Sequence, residues 1–561
     1  MGKHFDTDSN LHTGFSQLWR RPRTWLLIGI VGICLLGTGY LFRHQLRQQA
    51  QYFINLALIR HNAAELDQFV SAHTGKTTPL LLAGAAAANG PLRVSSANPR
   101  YFVDGTGKVV YLTGSHTWAN FQDNGNGNPP AAFEYGKYLD FLTANNHNFF
   151  RLWTWEQSRW TLETADDNYW FNPQGPYVRS SGQGNALDGQ PKWDVSQFDQ
   201  AYFDRMRQRI VEAGQRGMYV SIMLFDGWSV VSNQYPALNN PWKGHPHNAA
   251  NNINGVNGDV NNDNNGREAH TLANPEVTAL QEAYVKQVID TVNDLDNVLY
   301  EIANEAADES LPWQYHMVDF IHTYEAGKPK QHPVGITGRY EWSVDDLIAS
   351  GAEWISPGGS AYQWDPPAAD GQAVVIVDTD HLWGIGGDYV WVWKSFTRGL
   401  NPIFMDGYDG AGYGVGGEGF NFSDPQWVKL RANLGYARTY AEQANLAAMA
   451  PHGDLCSTGY CLANPVGPGA EYIVYQPNGA DSFTVDLAGQ TGLFAVEWLD
   501  PETGAKTTGA AVNGGGTATF TPPFADAVLY LKQQSALAIL DSPILTHGRT
   551  RLFAATQESH Q

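Results

Sequence analysis

Ionisable and polar side chains recur at the ends of apolar runs in the middle of this chain. The run "AVVIV" leads directly into Asp378, Asp380 and His381. The run "VLYEIA" leads into Asn304 and Glu305. Carboxylates, imidazoles and amides at strand ends can serve acid–base catalysis, metal binding or sugar recognition. Further candidates follow other apolar runs: His116, Trp118, Arg151, Trp153, Asp226, Trp228, Trp383 and Asp406.

Eight apolar runs that could be strands alternate with helical segments. The runs lie at 109–114, 149–156, 219–228, 298–306, 333–338, 353–362, 373–384 and 401–410. Between them, "FDRMRQRIVEAGQRG" and "LQEAYVKQVIDTVNDL" have the apolar spacing of amphipathic helices. This α/β pattern predicts a (β/α)8 TIM barrel over residues 91–445. Active sites of such barrels form at the carboxyl ends of the strands, where the polar residues above lie.

The N-terminal part of the chain predicts membrane attachment. Residues 24–42 carry no charge and match the roughly 20 residues that span a bilayer, with Trp25 and Tyr40 near the ends. No small-residue cleavage site follows directly, so we expect an uncleaved, single-pass transmembrane anchor. The preferred topology has a cytoplasmic N-terminus (1–23), a stalk (43–90) and an extracytoplasmic catalytic domain.

The C-terminal part changes to a pattern of short strands and turns. Residues 446–535 alternate apolar and polar positions between Gly- and Pro-containing turns, which predicts an antiparallel β-sandwich. Cys456 and Cys461 could close a small disulfide loop in an oxidising compartment. Residues 536–561 have no assigned structure.

Composition limits the classes of partner. The net charge of −21 repels phosphate backbones, so nucleic acid is not expected as a partner. The chain has 19 Trp and 26 Tyr, and such rings both fill cores and stack on the apolar faces of sugars. No cofactor-binding motif is recognised, and none is expected.

The pair Asn304–Glu305 closes the fourth predicted strand and resembles the acid/base motif of clan A glycoside hydrolases. Retaining members of that clan carry the acid/base after strand four and the nucleophile at the end of strand seven. The resemblance therefore implies Glu305 as acid/base and Asp378 as nucleophile, although most relatives have Glu at the latter position. Asp380 is the alternative nucleophile, since it lies two residues along. Glu301 lies deeper on the same strand and is expected to be structural.

The same resemblance assigns roles to neighbouring residues. Arg151 would keep the nucleophile ionised, and Asn304 would bind a sugar hydroxyl next to the reacting carbon. The expected walls of the sugar site, each with core packing as the alternative, are His116, Trp118, Trp153, Trp228 and Trp383. Asp226, His381 and Asp406 complete the predicted set of substrate-binding residues.

A closer resemblance covers about residues 91–532. The segments "PRYFVDGTGKVVYLTGSHTW", "RLWTWE", "HPHNAANNINGVNGD" and "EIANEA", followed by a small β-domain, are similar to apiosidase-like, DUF4038-type barrels. Such barrels often carry a C-terminal domain named for collagen binding. The resemblance implies a hydrolase of O-glycosidic bonds in a polysaccharide or oligosaccharide, and the expected anchor would attach it to a membrane.

Alternatives stay open at this point. A decayed barrel would make the chain a surface protein that binds carbohydrate or matrix without cleaving it. An inverting or metal-assisted hydrolase could use Asp378 and Asp380. The segment "DVNNDNNG" (259–266) has calcium-like spacing, but Asn264 and His270 occupy the positions where an EF-hand needs Gly and Glu. We therefore predict no metal.

Overall fold

The computed structural model describes the chain between residues 87 and 534, apart from short gaps. The described ranges are 87–125, 127–160, 169–230, 240–338, 342–408, 422–477 and 479–534. The predicted N-terminus (1–23), anchor (24–42), most of the stalk (43–90) and the tail (536–561) lie outside the described residues.

The structure does not support the prediction of membrane attachment. In the described part of the chain, no helix combines the length and apolar character needed to cross a bilayer. The expected anchor falls on residues 24–42, outside the described residues, so the single-pass localisation has no support in the helices that are described. The predicted membrane localisation, and the membrane as a partner, are therefore not retained.

Eight parallel strands form the centre of the molecule. They are β1 (Gly114–His116), β2 (Phe149–Leu152), β3 (Tyr219–Asp226), β4 (Val298–Asn304), β5 (Val334–Thr337), β6 (Trp354–Ser356), β7 (Val374–Asp378) and β8 (Asn401–Met405). Neighbours in the chain pair in parallel from β2 to β8, and β8 pairs with β1. The amide of Phe149 donates to the Thr113 carbonyl (3.2 Å), which brings β2 beside β1 and nearly closes the barrel. The predicted TIM barrel is confirmed.

The apolar residues of these runs explain why they form buried barrel strands. All residues of β4 and β7 are buried, and both strands are rich in Val and Ile. β-Branched side chains pack well on a pleated surface, and parallel strands covered on both faces read as continuous apolar runs. The Asn304 amide ends β4 and the Asp378 carboxyl group ends β7, and both side chains lie at the barrel mouth.

One helix follows each barrel strand. The helices are α1 (Tyr135–Ala144), α2 (Gln200–Gly214), α3 (Pro275–Val292), α4 (Leu311–Glu325), α5 (Val344–Ala349), α6 (Ser360–Gln363), α7 (Tyr389–Thr397) and α8 (Pro425–Gln443). Asp199, Asn274 and Asp388 cap α2, α3 and α7 by accepting hydrogen bonds from first-turn amides. The predicted amphipathic helices are thus present and cover the barrel.

The segment before the barrel differs in one respect from the prediction. Strands Phe102–Val103 and Val109–Val110 form the expected hairpin, and Arg93–Val94 adds a third strand. The hairpin strand ends at Val110 and β1 begins separately at Gly114, so "VVYLTG" is not one strand. A Cβ on Gly114 would collide with the carbonyl of Phe149, and this close approach explains the glycine where β1 meets β2.

Long connections after β1, β2 and β3 build additional structure on the side of the strands' carboxyl ends. Strands Asp123–Gly125, Arg159–Trp160 and Tyr169–Asn172 form one small antiparallel sheet. Strands Tyr177–Arg179 and Trp193–Phe198 form another. Short 3-10 turns at Gly227–Ser229, Pro241–Gly244 and Arg267–His270 complete the loop after β3.

The C-terminal region consists of antiparallel strands. They are β9 (Ala450–Pro451), β10 (Cys461–Asn464), β11 (Glu471–Tyr475), β12 (Phe483–Asp486), β13 (Leu493–Leu499), β14 (Lys506–Asn513), β15 (Thr517–Phe520) and β16 (Val528–Gln533). Six of them form a sheet in the order 9-10-11-16-13-14, and β12 pairs with β15. Side chains of both sheets share one apolar cluster that includes Phe483, Trp498 and Phe520.

The predicted disulfide between Cys456 and Cys461 is not formed. Both residues are buried free thiols, and Cys456 Sγ lies 3.1 Å from the Thr458 hydroxyl. The short loop between them is closed instead by backbone bonds, including the Gly459 amide donating to the Cys456 carbonyl (3.2 Å).

Candidate active site

The candidate site lies at the carboxyl ends of five barrel strands. His116, Asp226, Asn304 and Asp378 are the last residues of β1, β3, β4 and β7, and Arg151 lies within β2. Parallel register aligns these ends: Asp226 lies opposite Asn304, and His116 lies opposite the last residue of β8. The fold brings these side chains together through the contacts described next.

Asp378 is a buried carboxylate held by two cationic or hydrogen-bonding side chains. His116 Nε2 lies 2.8 Å from Asp378 Oδ2, and Arg151 Nη1 donates to the same oxygen at 2.9 Å. Oδ1 accepts the Asp380 amide at 3.0 Å. Burial alone would raise the pKa of Asp378, but His116 and Arg151 hold that pKa below its usual range. Asp378 is therefore ionised at neutral pH.

Arg151 organises the floor of the site. Its guanidinium donates to Glu301 (2.8 and 2.5 Å) and to Asn304 Oδ1 (2.7 Å) as well as to Asp378. Burial would lower the pKa of Arg151, but the charges of Glu301 and Asp378 raise it. Thr337 donates a further hydrogen bond to Glu301 (2.8 Å). Glu301 is thus fully engaged below the site, as expected for a structural carboxylate.

Asn304 is fixed by three partners. Its Oδ1 accepts from Arg151 and faces His381 Nε2 at 2.9 Å, and its amide lies 3.4 Å from Asp226 Oδ1. Ser356 Oγ contacts the other ring nitrogen of His381 at 3.2 Å. Burial lowers the pKa of His381 to about 3, with the Arg151 charge adding to the effect. His381 is therefore a neutral ring that positions Asn304.

Glu305 is the half-buried carboxylate at the mouth of β4. Its backbone φ of 40° lies in the left-handed region, which is uncommon for a residue with a side chain. Gly227 crosses so close to the Glu305 carbonyl that a Cβ there would collide with it. Trp228 Nε1 donates a hydrogen bond to Glu305 Oε2. Strained conformations held in this way concentrate at functional sites.

Two further carboxyl groups near the site, those of Asp380 and Asp226, have raised pKa values, in contrast to the lowered pKa of Asp378. Burial and the charges of Glu305 and Asp378 raise the pKa of Asp380 well above its usual range. Burial also raises the pKa of Asp226, reinforced by the charges of Glu156 and Glu305. The site therefore contains one aspartate held ionised and two that favour the neutral acid.

The aromatic residues divide into a floor and a rim. Trp153 is 1% exposed, stacks on His116 (5.6 Å between ring centroids) and lies 4.9 Å from the Arg151 guanidinium. It supports charged groups from below and offers no surface for a sugar. Trp118, Trp228 and Trp383 are half-buried and can still contact a ligand.

Asp406 does not take part in the site, contrary to the prediction. Its two carboxylate oxygens accept from Arg431 of α8 at 2.7 and 2.6 Å, and the residue is buried. The pair ties the end of β8 to the outer helix. The prediction failed because the partner lies 25 residues away along the chain.

Sequence reasoning missed Glu156, which supports the site from the loop after β2. Its carboxylate accepts the Asp226 amide (3.1 Å) and faces His270 (2.9 Å) and His245 (3.2 Å). The residue was visible in "RLWTWE", but its histidine partners come from the loop after β3 and cannot be assigned without the fold. A small cavity next to this cluster is lined by Trp155, Tyr177 and His247, among others.

Two groups of described side chains could in principle hold a metal ion. Ligand atoms of Asp378, Asp380 and His381 lie within 4.8 Å of one another. Arg151 donates to both aspartates, at 2.9 and 3.3 Å, and already supplies the positive charge there. The other group consists of Asp259, Asp263 and Glu268 of the predicted calcium-like segment.

Comparisons with known proteins bear on the fold. A family model described as "Domain of unknown function (DUF6298)" matches residues 156–352, a different model from the DUF4038 type expected from the sequence. A solved structure titled "Glycoside hydrolase" has a TM-score of 0.52 at 13% identity, covering 80% of this chain and 97% of that one. A glycoside hydrolase family 5 structure from Bacteroides vulgatus has a TM-score of 0.54 at 15% identity, covering 80% and 93%. A comparison with curated proteins gives no match. At these identities, the likeness establishes a shared fold.

Proposed function

We propose that this protein is an O-glycoside hydrolase that acts on a poly- or oligosaccharide with two carboxyl groups. Glu305 is the acid/base, and Asp378 is the ionised partner that attacks the anomeric carbon. The observation that carries the proposal is the contrast between these two groups. Asp378 is held as a carboxylate by Arg151 and His116, whereas Glu305 projects half-exposed from the end of β4.

The chemistry of glycoside cleavage requires this division of labour. A protonated carboxyl group must donate to the departing oxygen, while an ionised carboxylate faces the opposite side of the reacting carbon. The Trp228 hydrogen bond and the left-handed backbone direct the Glu305 carboxyl group. Asn304, oriented by Arg151, is placed to bind a neighbouring sugar hydroxyl. Proximity and fixed orientation of such groups lower the barrier without further contacts.

The electrostatics favour Asp378 over Asp380 as the nucleophile. A nucleophile must be ionised, and two aspartates that share Arg151 cannot both ionise easily. The pKa of Asp378 is lowered, whereas burial and neighbouring negative charges raise that of Asp380. Asp380 is then a neutral group above the nucleophile, able to donate a hydrogen bond to a sugar hydroxyl.

The decisive experiment is hydrolysis of a panel of aryl glycosides and polysaccharides by the full chain and three variants. We expect Glu305→Gln and Asp378→Asn to lose about 10³-fold in kcat/KM, as removal of acid–base or nucleophilic groups does. Glu309→Gln, an exposed glutamate four residues from Glu305, is the matched control and should keep full activity. Proton NMR of the first product should show retention of the anomeric configuration.

The roles can be separated by chemical rescue. With Asp378→Ala, added azide should restore turnover and give a glycosyl azide of inverted configuration, because azide takes the place of the missing carboxylate. If Asp378→Asn stays active while Asp380→Asn is inactive, the nucleophile is Asp380 and the assignment of Asp378 is wrong.

A second function is supported by one specific observation. The Asp378 side chain is 0% exposed and both of its oxygens already have partners, as in a purely structural ion pair. A barrel of this kind could bind sugars without cleaving them. Binding of polysaccharide by the wild-type chain with no release of reducing ends, over the whole panel, would establish this function instead.

A further inference from the structure

Trp364 is unusual among the tryptophans of the described residues because it is exposed. Its side chain is 67% exposed, and the other large hydrophobic residues exposed to this extent in the described part are aliphatic. An indole exposed to this extent forgoes most of the free energy that burial within the chain would give it. A rigid, exposed aromatic ring is therefore a candidate contact for a ligand with an apolar face.

The ring stands next to the loop that carries the candidate catalytic aspartates. Trp364 follows α6, which leaves the carboxyl end of β6, and its ring meets Trp383 edge-on at 5.5 Å and 77°. Trp383 in turn belongs to the compact turn after β7, where its amide donates to the Thr379 carbonyl at 2.7 Å. The neighbouring Gln363 also donates to the Leu382 carbonyl. Trp364 thus extends the rim of the same site.

The backbone around Trp364 is held on several sides. Lys394 Nζ donates to the Trp364 carbonyl (3.0 Å), and Trp391 Nε1 donates to the Tyr362 carbonyl (3.0 Å). Asp365 accepts the Tyr460 hydroxyl of the C-terminal region at 2.7 Å. An exposed ring on a fixed backbone loses little conformational entropy when a ligand stacks on it.

Charge narrows the class of ligand. Asp365 adjoins the ring with its side chain 62% exposed but is paired with Arg398 Nη2 at 3.4 Å, so the negative field at the rim is that of the chain as a whole, which carries −21. The overall negative charge of the chain disfavours acidic sugars, whereas a neutral sugar ring can place its C–H face on the indole. A nucleic acid base could stack equally well, but its phosphates would be repelled.

We propose that Trp364, supported by Trp383, is a subsite for a neutral sugar unit beyond the unit that is cleaved. The inference rests on the proposed hydrolase function and specifies its substrate as a neutral polysaccharide or a longer oligosaccharide. Binding energy from a remote unit acts on kcat/KM for long substrates and leaves short ones unaffected.

The test compares Trp364→Ala and Trp364→Phe in the full chain. On the neutral polysaccharide that the wild type cleaves best, we expect kcat/KM to fall about tenfold for Trp364→Ala and about twofold or less for Trp364→Phe. On an aryl monoglycoside both variants should equal the wild type. Val466→Ala, an exposed apolar residue of the C-terminal region, is the control and should behave as wild type on both substrates.

Two outcomes would overturn the subsite. One is equal activity of Trp364→Ala and wild type on the polysaccharide, and the other is an equal loss on the aryl monoglycoside. A binding assay separates the subsite from the catalytic proposal: migration in native gels containing galactomannan, arabinoxylan or mixed-linkage β-glucan. Retardation that Trp364→Ala abolishes supports the subsite even if nothing is hydrolysed. If no gel retards the wild type and nothing is hydrolysed, the subsite is refuted along with the hydrolase.

Discussion

At the scale of single residues, the site depends on how one guanidinium divides charge among several acids. Arg151 contacts Glu301, Asp378 and Asp380, and its strongest hydrogen bonds go to the first two. Asp380 and Asp226 then gain too little positive charge to offset their burial, and their pKa values rise. The positions of Asp378 and Asp380 relative to Arg151 thus help to shift their pKa values in opposite directions.

Asp226 gives a prediction about the pH dependence of stability. Its folded-state pKa is raised above the unfolded value of about 3.9, so the wild type loses stability as the pH rises from about 4 toward the folded pKa. Asp226→Asn removes this loss and should become more stable than wild type by up to about 1.4 kcal/mol per pH unit in that range. The amide can also keep the acceptor for the Trp228 amide.

Urea unfolding at pH 4, 5.5 and 7 measures this effect. The gain of Asp226→Asn should be near zero at pH 4 and should grow with pH. Asp481→Asn, which changes an exposed aspartate, is the control. A gain that stays constant with pH would show that Asp226 is ionised in the folded protein.

At the scale of elements, the crossing of two loops fixes Glu305. Gly227, at the start of the 3-10 turn after β3, lies against the backbone of Glu305 and Ala306. Gly227→Ala should push the Glu305 backbone away, and a shift of about 1 Å can cost about 10²-fold in kcat. Gly136→Ala, in α1 with open space around it, is the matched control and should be neutral or slightly stabilising.

The measurement is kcat together with circular dichroism and Tm for both variants. Loss of activity with an intact barrel supports the role of the crossing. If Gly227→Ala remains fully active, the backbone conformation of Glu305 does not matter for turnover.

The barrel could be predicted from the sequence because most of its strands are short, continuous apolar runs that can be recognised without knowledge of the rest of the fold. Seven of the eight apolar runs contain a barrel strand, and the first ends at Gly114, where β1 begins. Polar residues at the strand ends converge because parallel strands share one carboxyl edge. The hairpin strand that stops at Val110 was read too long, since nothing in "VVYLTG" marks the break before Gly114.

Contacts made between distant segments could not be predicted. Asp406 was predicted to lie at the barrel mouth because it follows β8. Arg431 of α8 instead donates hydrogen bonds to both of its carboxylate oxygens. Glu156 was visible in the sequence, but its partners His245 and His270 lie in the loop after β3. The conformation of that loop could not be predicted from a local sequence pattern. Pairing of ionisable groups across the fold is a tertiary property.

At the scale of the whole molecule, the C-terminal sheets and the barrel share one apolar core. Tyr475 stacks near Trp393 of α7 (6.3 Å), and Tyr530 meets Tyr440 of α8 at 5.7 Å. Polar bonds reinforce the contact, including Tyr440 to Glu497 (2.7 Å) and Asn433 to the Pro501 carbonyl (2.8 Å). The C-terminal region therefore acts as part of the barrel's support.

Removal of the C-terminal region tests this dependence. A chain that ends at residue 445 would expose Trp393 and Tyr440, which are buried in the intact protein. We expect it to be insoluble or to bind the hydrophobic dye ANS with no cooperative thermal transition. A soluble, cooperatively folded barrel without the region would contradict the shared core. The intact chain should unfold in a single calorimetric transition.

The arrangement around Arg151 has a consequence for inhibitors. One guanidinium is shared by the carboxyl groups of Glu301 and Asp378, so acidic groups outnumber this cation at the floor of the barrel mouth. In glycoside cleavage the sugar ring flattens and gains positive charge at the transition state. Nearby carboxylates stabilise that charged ring more than the neutral substrate ring. Cyclic sugar amines, protonated near neutral pH, carry a positive charge of this kind, and the proposed hydrolase function predicts that they bind at this floor.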